Sequence, residues 1–111
     1  MAHMQHDNTK KGRSTIKTEE EYRKLSYMFP EHIFLDDNYR IRLAGRNIEE
    51  LLKYGYGSLR DKNINFLSYN DDLKASFMIQ ISENFFEWRT YLLKSQNAES
   101  VHVEICGFRT N

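Results

Sequence analysis

The chain has 111 residues, 40% of them hydrophobic and 14% aromatic, with sixteen Lys/Arg balanced by sixteen Asp/Glu. That is enough apolar material for one domain with one core. The zero net charge argues against a dedicated nucleic-acid binder, whose phosphate contacts call for a basic excess. No run reaches the ~18 apolar residues of a membrane span, and one cysteine builds neither an internal disulfide nor a multi-cysteine metal site. With no secretory apolar segment at the start, the expected compartment is cytoplasmic.

In chain order, residues 1–14 are polar and aperiodic and are expected to be a tail outside the fold. The opening Met-Ala-His-Met has the composition of an expression remnant. His3 and His6 are read with it rather than as metal ligands. Lys10, Lys11 and Arg13 form a small basic cluster, but from residue 31 onward acidic residues slightly outnumber basic ones, so a solvated tail is the simpler reading.

Residues 15–30 are expected to hold an N-terminal helix. Thr18-Glu19-Glu20-Glu21 has the form of a capping box, Pro30 stops the helix, and Glu19–Arg23 and Glu20–Lys24 have the better i,i+4 orientation. Tyr22, Leu25 and Phe29 form an apolar stripe, which must bury itself either on its own sheet or on a second copy of the chain.

Residues 31–111 are expected to form the main domain. His32–Leu35 and Tyr39–Leu43 read as a hairpin around the turn-forming Asp36-Asp37-Asn38. Asn47 and Glu50 predict a second capping box for a short helix carrying Ile48, Leu51 and Leu52, and Gly55 and Gly57 read as helix-stop and turn residues. Leu59, Ile64, Phe66 and Leu67 anchor a loop with a short helical piece. Asn70-Asp71-Asp72 then caps a helix with Leu73, Phe77 and Ile81 at four-residue spacing. The last third is extended: Phe85–Leu93, a polar loop over Ser95–Ser100, and an alternating strand from Val101. Strands at both ends with helices between them predict an α+β fold with a single antiparallel sheet and short helices packed on one face.

Three passages together resemble the PAS domain family over about residues 18–110: HIFLDDNYRIRLAG (32–45), NIEELLKYGYGSLRDKNINFL (47–67) and SYNDD (68–72). Asp61 stands where the family usually has glycine before a Lys-Asn pair. The resemblance implies a sheet in the spatial order 2-1-5-4-3, of which this chain ends after the fourth strand, so truncation of a C-terminal strand is expected. It also implies a sensory or regulatory input domain cut from a larger signalling protein, such as a sensor histidine kinase or a transcription regulator, with an output domain elsewhere in the parent chain. The implied pocket lies between sheet and helices, lined by Ile33, Leu35, Leu52, Phe66, Leu67, Phe77, Ile81, Trp88 and Val103, and suits a small apolar or aromatic ligand. Equally, Phe66, Phe77 and Trp88 are bulky enough to fill that space as an ordinary core. The helix before the first strand, with Tyr22, Leu25 and Phe29, implies a homodimer interface, which makes a ligand-free dimerisation or docking module the alternative function.

Catalytic chemistry finds no foothold. Tyr54-Gly55-Tyr56-Gly57-Ser58 lacks the context of a phosphate loop. The neighbouring carboxylates Asp36/Asp37 and Asp71/Asp72 point different ways and read as turn and cap residues. Cys106 reads as a half-buried structural thiol, and no metal site is expected. Ile64 occupies the place of the cysteine that forms the covalent flavin adduct in the photosensor branch of the family, so that adduct is not expected, although noncovalent flavin stays open. Residues 71–83 hold no histidine for the haem ligation of another branch. His32 and His102 read as surface or satisfied histidines.

Overall fold

A computed structural model of the chain describes residues 2–7 and 18–110. The elements in order are strand β1 (Ala2–Asp7), helix α1 (Glu19–Met28), strands β2 (His32–Leu35) and β3 (Ile41–Ala44), helix α2 (Arg46–Leu51), a 3₁₀ turn (Ile64–Leu67), helix α3 (Leu73–Gln80), a second 3₁₀ turn (Ile81–Glu83), and strands β4 (Phe85–Lys94) and β5 (Ser100–Thr110). The α+β class is therefore as expected.

Two antiparallel hairpins carry the sheet structure. β2 and β3 pair as Ile33↔Ala44, Phe34↔Leu43 and Leu35↔Ile41, with a bulge. Asp36 builds the connecting turn: one oxygen of its carboxylate accepts from the amides of Asn38 and Arg40. β4 and β5 form the longer hairpin, from Phe85↔Phe108 to Lys94↔Ser100. The hairpins meet through β1, giving the order β3-β2-β1-β5-β4.

Here the structure departs from the sequence reading twice. Ala2–Asp7, expected outside the fold, runs parallel to β2 and to β5; residues 8–14, with the basic cluster, lie outside the described residues. The pairing is therefore mixed rather than wholly antiparallel. The physical reason is that β2 and β5 present facing rows of main-chain donors and acceptors, and any extended segment can satisfy those whatever its side chains.

The helix starts are set locally. The Thr18 hydroxyl accepts from the Glu21 amide, and the Asp72 carboxylate accepts from the Ala75 amide. The expected Asn47 cap of α2 is not used. Gly45 is the cap residue, and no side chain bonds there. The Asn47 amide instead donates to the Pro30 carbonyl, tying the start of α2 to the end of α1. The Glu20–Lys24 pair forms at 3.7 Å, whereas Glu19 is paired with Arg60 at 2.8 Å.

One buried cluster joins the layers: Ile33, Leu35, Ile41 and Ala44 from the first hairpin, Phe86, Tyr91, Leu93, Val103 and Ile105 from the second, with Ile48, Leu52, Leu59, Ile64, Leu67, Leu73, Phe77 and Ile81 from the segment between. α1 stands apart from that layer. It lies against the edge strand β3, where the Ala44 amide donates to the Tyr22 hydroxyl at 3.2 Å, and its end reaches Phe34 through Phe29, ring centroids 5.4 Å apart. Phe34 is paired with Leu43 between Ile33 and Leu35, so it points to the opposite face. The helices thus do not all share one face. An edge strand covered by a helix is also protected from pairing with another chain.

Candidate ligand pocket and docking surfaces

Seven of the nine expected pocket residues come together. Ile33, Leu35, Leu52, Leu67, Phe77, Ile81 and Val103 all belong to the single core cluster, none more than 3% exposed. Phe77 is fully buried in it, against the edge strand β4. The Asp72 cap fixes the start of α3, so Leu73, Phe77 and Ile81 fall on one stripe and turn inward together. The Phe77 ring stacks on Phe86 at 5.8 Å and meets Tyr91 edge-on at 5.2 Å. The Tyr91 hydroxyl lies 3.3 Å from that of Ser76 on the same helix.

The other two residues are corrections. Trp88 is 41% exposed rather than interior. The sequence alternation that would bury it with Phe86 is broken between Phe86 and Arg89, where Glu87 and Trp88 stand opposite the single residue Cys106. A bulge of this kind shifts the inward parity, so the next buried positions are Tyr91 and Leu93. Phe66 is 38% exposed. In a 3₁₀ turn residues three apart share a side, so Ile64 and Leu67 face inward and Phe66 is left at the rim. There the Phe66 ring is approached by the ammonium groups of Lys62 and Lys94, at 5.0 and 5.7 Å, and by the Tyr54 ring.

The expected dimer residues are split as well. Tyr22 is fully buried within its own chain, between Ala44, an edge-on Tyr56 ring and the Arg60 guanidinium, so it is not offered to a second copy. Burial pushes its hydroxyl up to about 12. Leu25 and Phe29 are half-buried, and Phe29 also packs on the ring of His32. The exposed apolar residues of α1 are Tyr27 and Met28.

Two features escaped the sequence reading. Ile79 and Phe85, 71% and 55% exposed, line an open groove of about 470 Å³ together with Gln80, Ser82, Phe86, Glu87 and Arg89. The available signal was that α3 has apolar residues, Met78 and Ile79, off its buried stripe. The second is Glu49, a carboxylate on α2 only 3% exposed. Its Oε2 accepts from the Gly57 amide at 2.6 Å. Burial raises its pKa, partly opposed by that hydrogen bond and by Arg46. A glutamate within an otherwise ordinary helical pattern gives no hint that it faces inward.

Burial also pushes the Cys106 thiol up, away from the reactive thiolate. Among the described residues no group of three or more His, Cys, Asp or Glu side chains is arranged to hold a metal ion, and no helix is long and apolar enough to cross a membrane. Comparison of the chain with family models, with curated proteins and with solved structures returns no match. The functional reading therefore rests on this chain's own residues.

Proposed function

We propose that the chain is a cytoplasmic regulatory input module of PAS type, which in a larger signalling protein biases an output domain by a shift between conformations. The observation that carries this reading is the placement of the two hairpins. Leaving β1 aside, the second strand lies outside the first, and the last lies inside the one before it, with one strand position between them. That is the order the PAS resemblance implies around its central strand. The departure is that β1 runs parallel to both neighbours.

How the signal enters separates two readings. An enclosed apolar ligand would have to share the core with Phe77, whose ring already contacts Phe86 and Tyr91. That contact favours the docking form of the module, in which a protein partner is met at the surface. The exposed Ile79 and Phe85 groove supports it. Native and denaturing mass spectrometry of the purified protein, with its visible absorbance, test the first reading: a retained ligand gives excess native mass, and a flavin gives colour. Phe85→Glu tests the second, and should change the association state or partner capture without unfolding the chain. A protein that carries no ligand and is indifferent to Phe85→Glu would overturn the regulatory reading.

A further inference from the structure

We propose that the channel between β2 and β5 is a binding site for an extended peptide, held by parallel main-chain pairing on both sides, and that Ala2–Asp7 is an exchangeable occupant of it. β2 and β5 each pair parallel with β1 and so run in the same direction as each other. They frame one strand position, with both walls supplying ladder donors and acceptors. The registers fix it on each side: His3–His6 stand opposite His32–Leu35, and Ala2–Asp7 stand opposite Ile105–Thr110.

The sequence that fills this position is poorly suited to it. Ala-His-Met-Gln-His-Asp includes alanine and aspartate, which strands disfavour, and no β-branched residue. Yet positions 2, 4 and 6 stand in register with Ile105, Ile33 and Leu35, each at most 2% exposed. A strand with β-branched apolar residues at those three positions matches these neighbours better, while the ladder bonds stay the same. The ligand class is therefore an extended six-residue segment with apolar residues at its first, third and fifth places, which take the register positions of residues 2, 4 and 6, recognised by strand addition. The advantage of β1 is its tether, which gives it an effective concentration in the millimolar range. A better-matched strand offered at comparable concentration displaces it. This goes beyond the regulatory reading, with which it shares the central strand position, and it needs neither an interior ligand nor the Ile79–Phe85 groove.

Cys106 supplies a register-specific reporter, because it stands opposite His3. The probe is a six-residue peptide, Val-Cys-Val-Gln-Val-Asp, whose cysteine carries an aromatic thiol as a mixed disulfide. When it seats in register in mildly alkaline buffer, which takes the proton of the Cys106 thiol against its raised pKa, the thiolate so formed attacks the peptide sulfur and expels the aromatic thiolate. The new disulfide forms as the old one breaks, and the adduct is read by mass. With the full chain, the expected result is an adduct forming at least tenfold faster than with a peptide whose cysteine is moved one place, or with one carrying proline at its fourth position. Amide exchange at Ala2–Asp7 should accelerate in parallel as that strand is released. Equal rates for the three peptides, no adduct, or an adduct with Ala2–Asp7 still protected would each overturn the proposal.

Discussion

Glu49 and Asp61 illustrate two ways in which a single residue departs from what its neighbours in sequence suggest. Glu49 is held in the interior by the Gly57 amide, and its pKa is raised chiefly by burial. A carboxyl group with a raised folded-state pKa binds more protons folded than unfolded. Its contribution to stability is therefore full below the ordinary glutamate range and declines as pH rises through the raised value. Asp72 works in the opposite sense: the Ala75 amide and Asn65 lower its pKa, so what it contributes is lost as the solution is acidified. Glu49→Gln keeps an oxygen for the Gly57 amide and removes the buried charge. It should flatten the loss of stability on going from mildly acidic to neutral pH, leaving the variant at least as stable as the parent at pH 7, as chemical denaturation at a series of pH values would read. A parent profile with no such decline attributable to Glu49 would contradict the burial argument. Asp61 has a left-handed backbone, φ 65°, at the place where glycine was the residue expected from the PAS resemblance. Its side chain pairs with Arg42 at 3.0 Å, but both partners are well exposed, so the pair contributes only about 0–1 kcal/mol. Asp61→Gly relieves the dihedral and loses the pair, and should stay within about 1 kcal/mol of the parent. Asp61→Val loses the pair and adds a β-branched side chain to a left-handed position, and should be the less stable of the two by urea midpoint.

Elements were legible where a local signal and the tertiary structure agree. The Thr18 and Asp72 caps, the Asp36 turn and the strand alternation after Val101 are all decided within a few residues, and the structure follows them. The start of α2 departs from its sequence signal because its cause is not local. A Cβ on Gly45 would overlap the carbonyl groups of Phe29 and Pro30, so the chain crossing there admits only glycine, and the helix begins from it instead of from Asn47. Its φ is ordinary, so space rather than conformational freedom is the constraint. Gly45→Ala should accordingly cost about 2 kcal/mol or more, since the atoms it meets are backbone and cannot rotate away. The loss should appear as a lower thermal midpoint, with α1 amides exchanging faster than those of the β4–β5 hairpin. Trp88 departs from its sequence pattern for a related reason. A pattern of period two places it beside Phe86, but the bulge opposite Cys106 changes the parity, and nothing in the residues 85–93 alone announces the extra residue.

At the scale of the whole molecule, the two hairpins and the helical segment between them could be read from pattern, but the way the hairpins are joined could not. The composition of β1 is that of a tail, and side-chain composition is a poor guide where pairing is through the main chain. Seven of the residues expected to line an interior pocket converge in the core cluster, with the buried ring of Phe77 one of them. That ring provides the means to ask whether this architecture can hold a ligand at all. Phe77→Ala removes a fully buried aromatic side chain, and should destabilise the chain by about 3–5 kcal/mol if the surroundings fail to collapse. The cavity left would be lined by Phe86, Tyr91 and neighbouring aliphatic side chains, an apolar site that stays dry and accepts a small aromatic molecule. Benzene or indole should then raise the thermal midpoint of Phe77→Ala while leaving the parent unchanged, by the usual linkage of ligand binding to stability. A parent protein that responds to the same compounds as strongly as the variant would mean that Phe77 yields its place readily, and would move the weight from docking at the surface to sensing in the core.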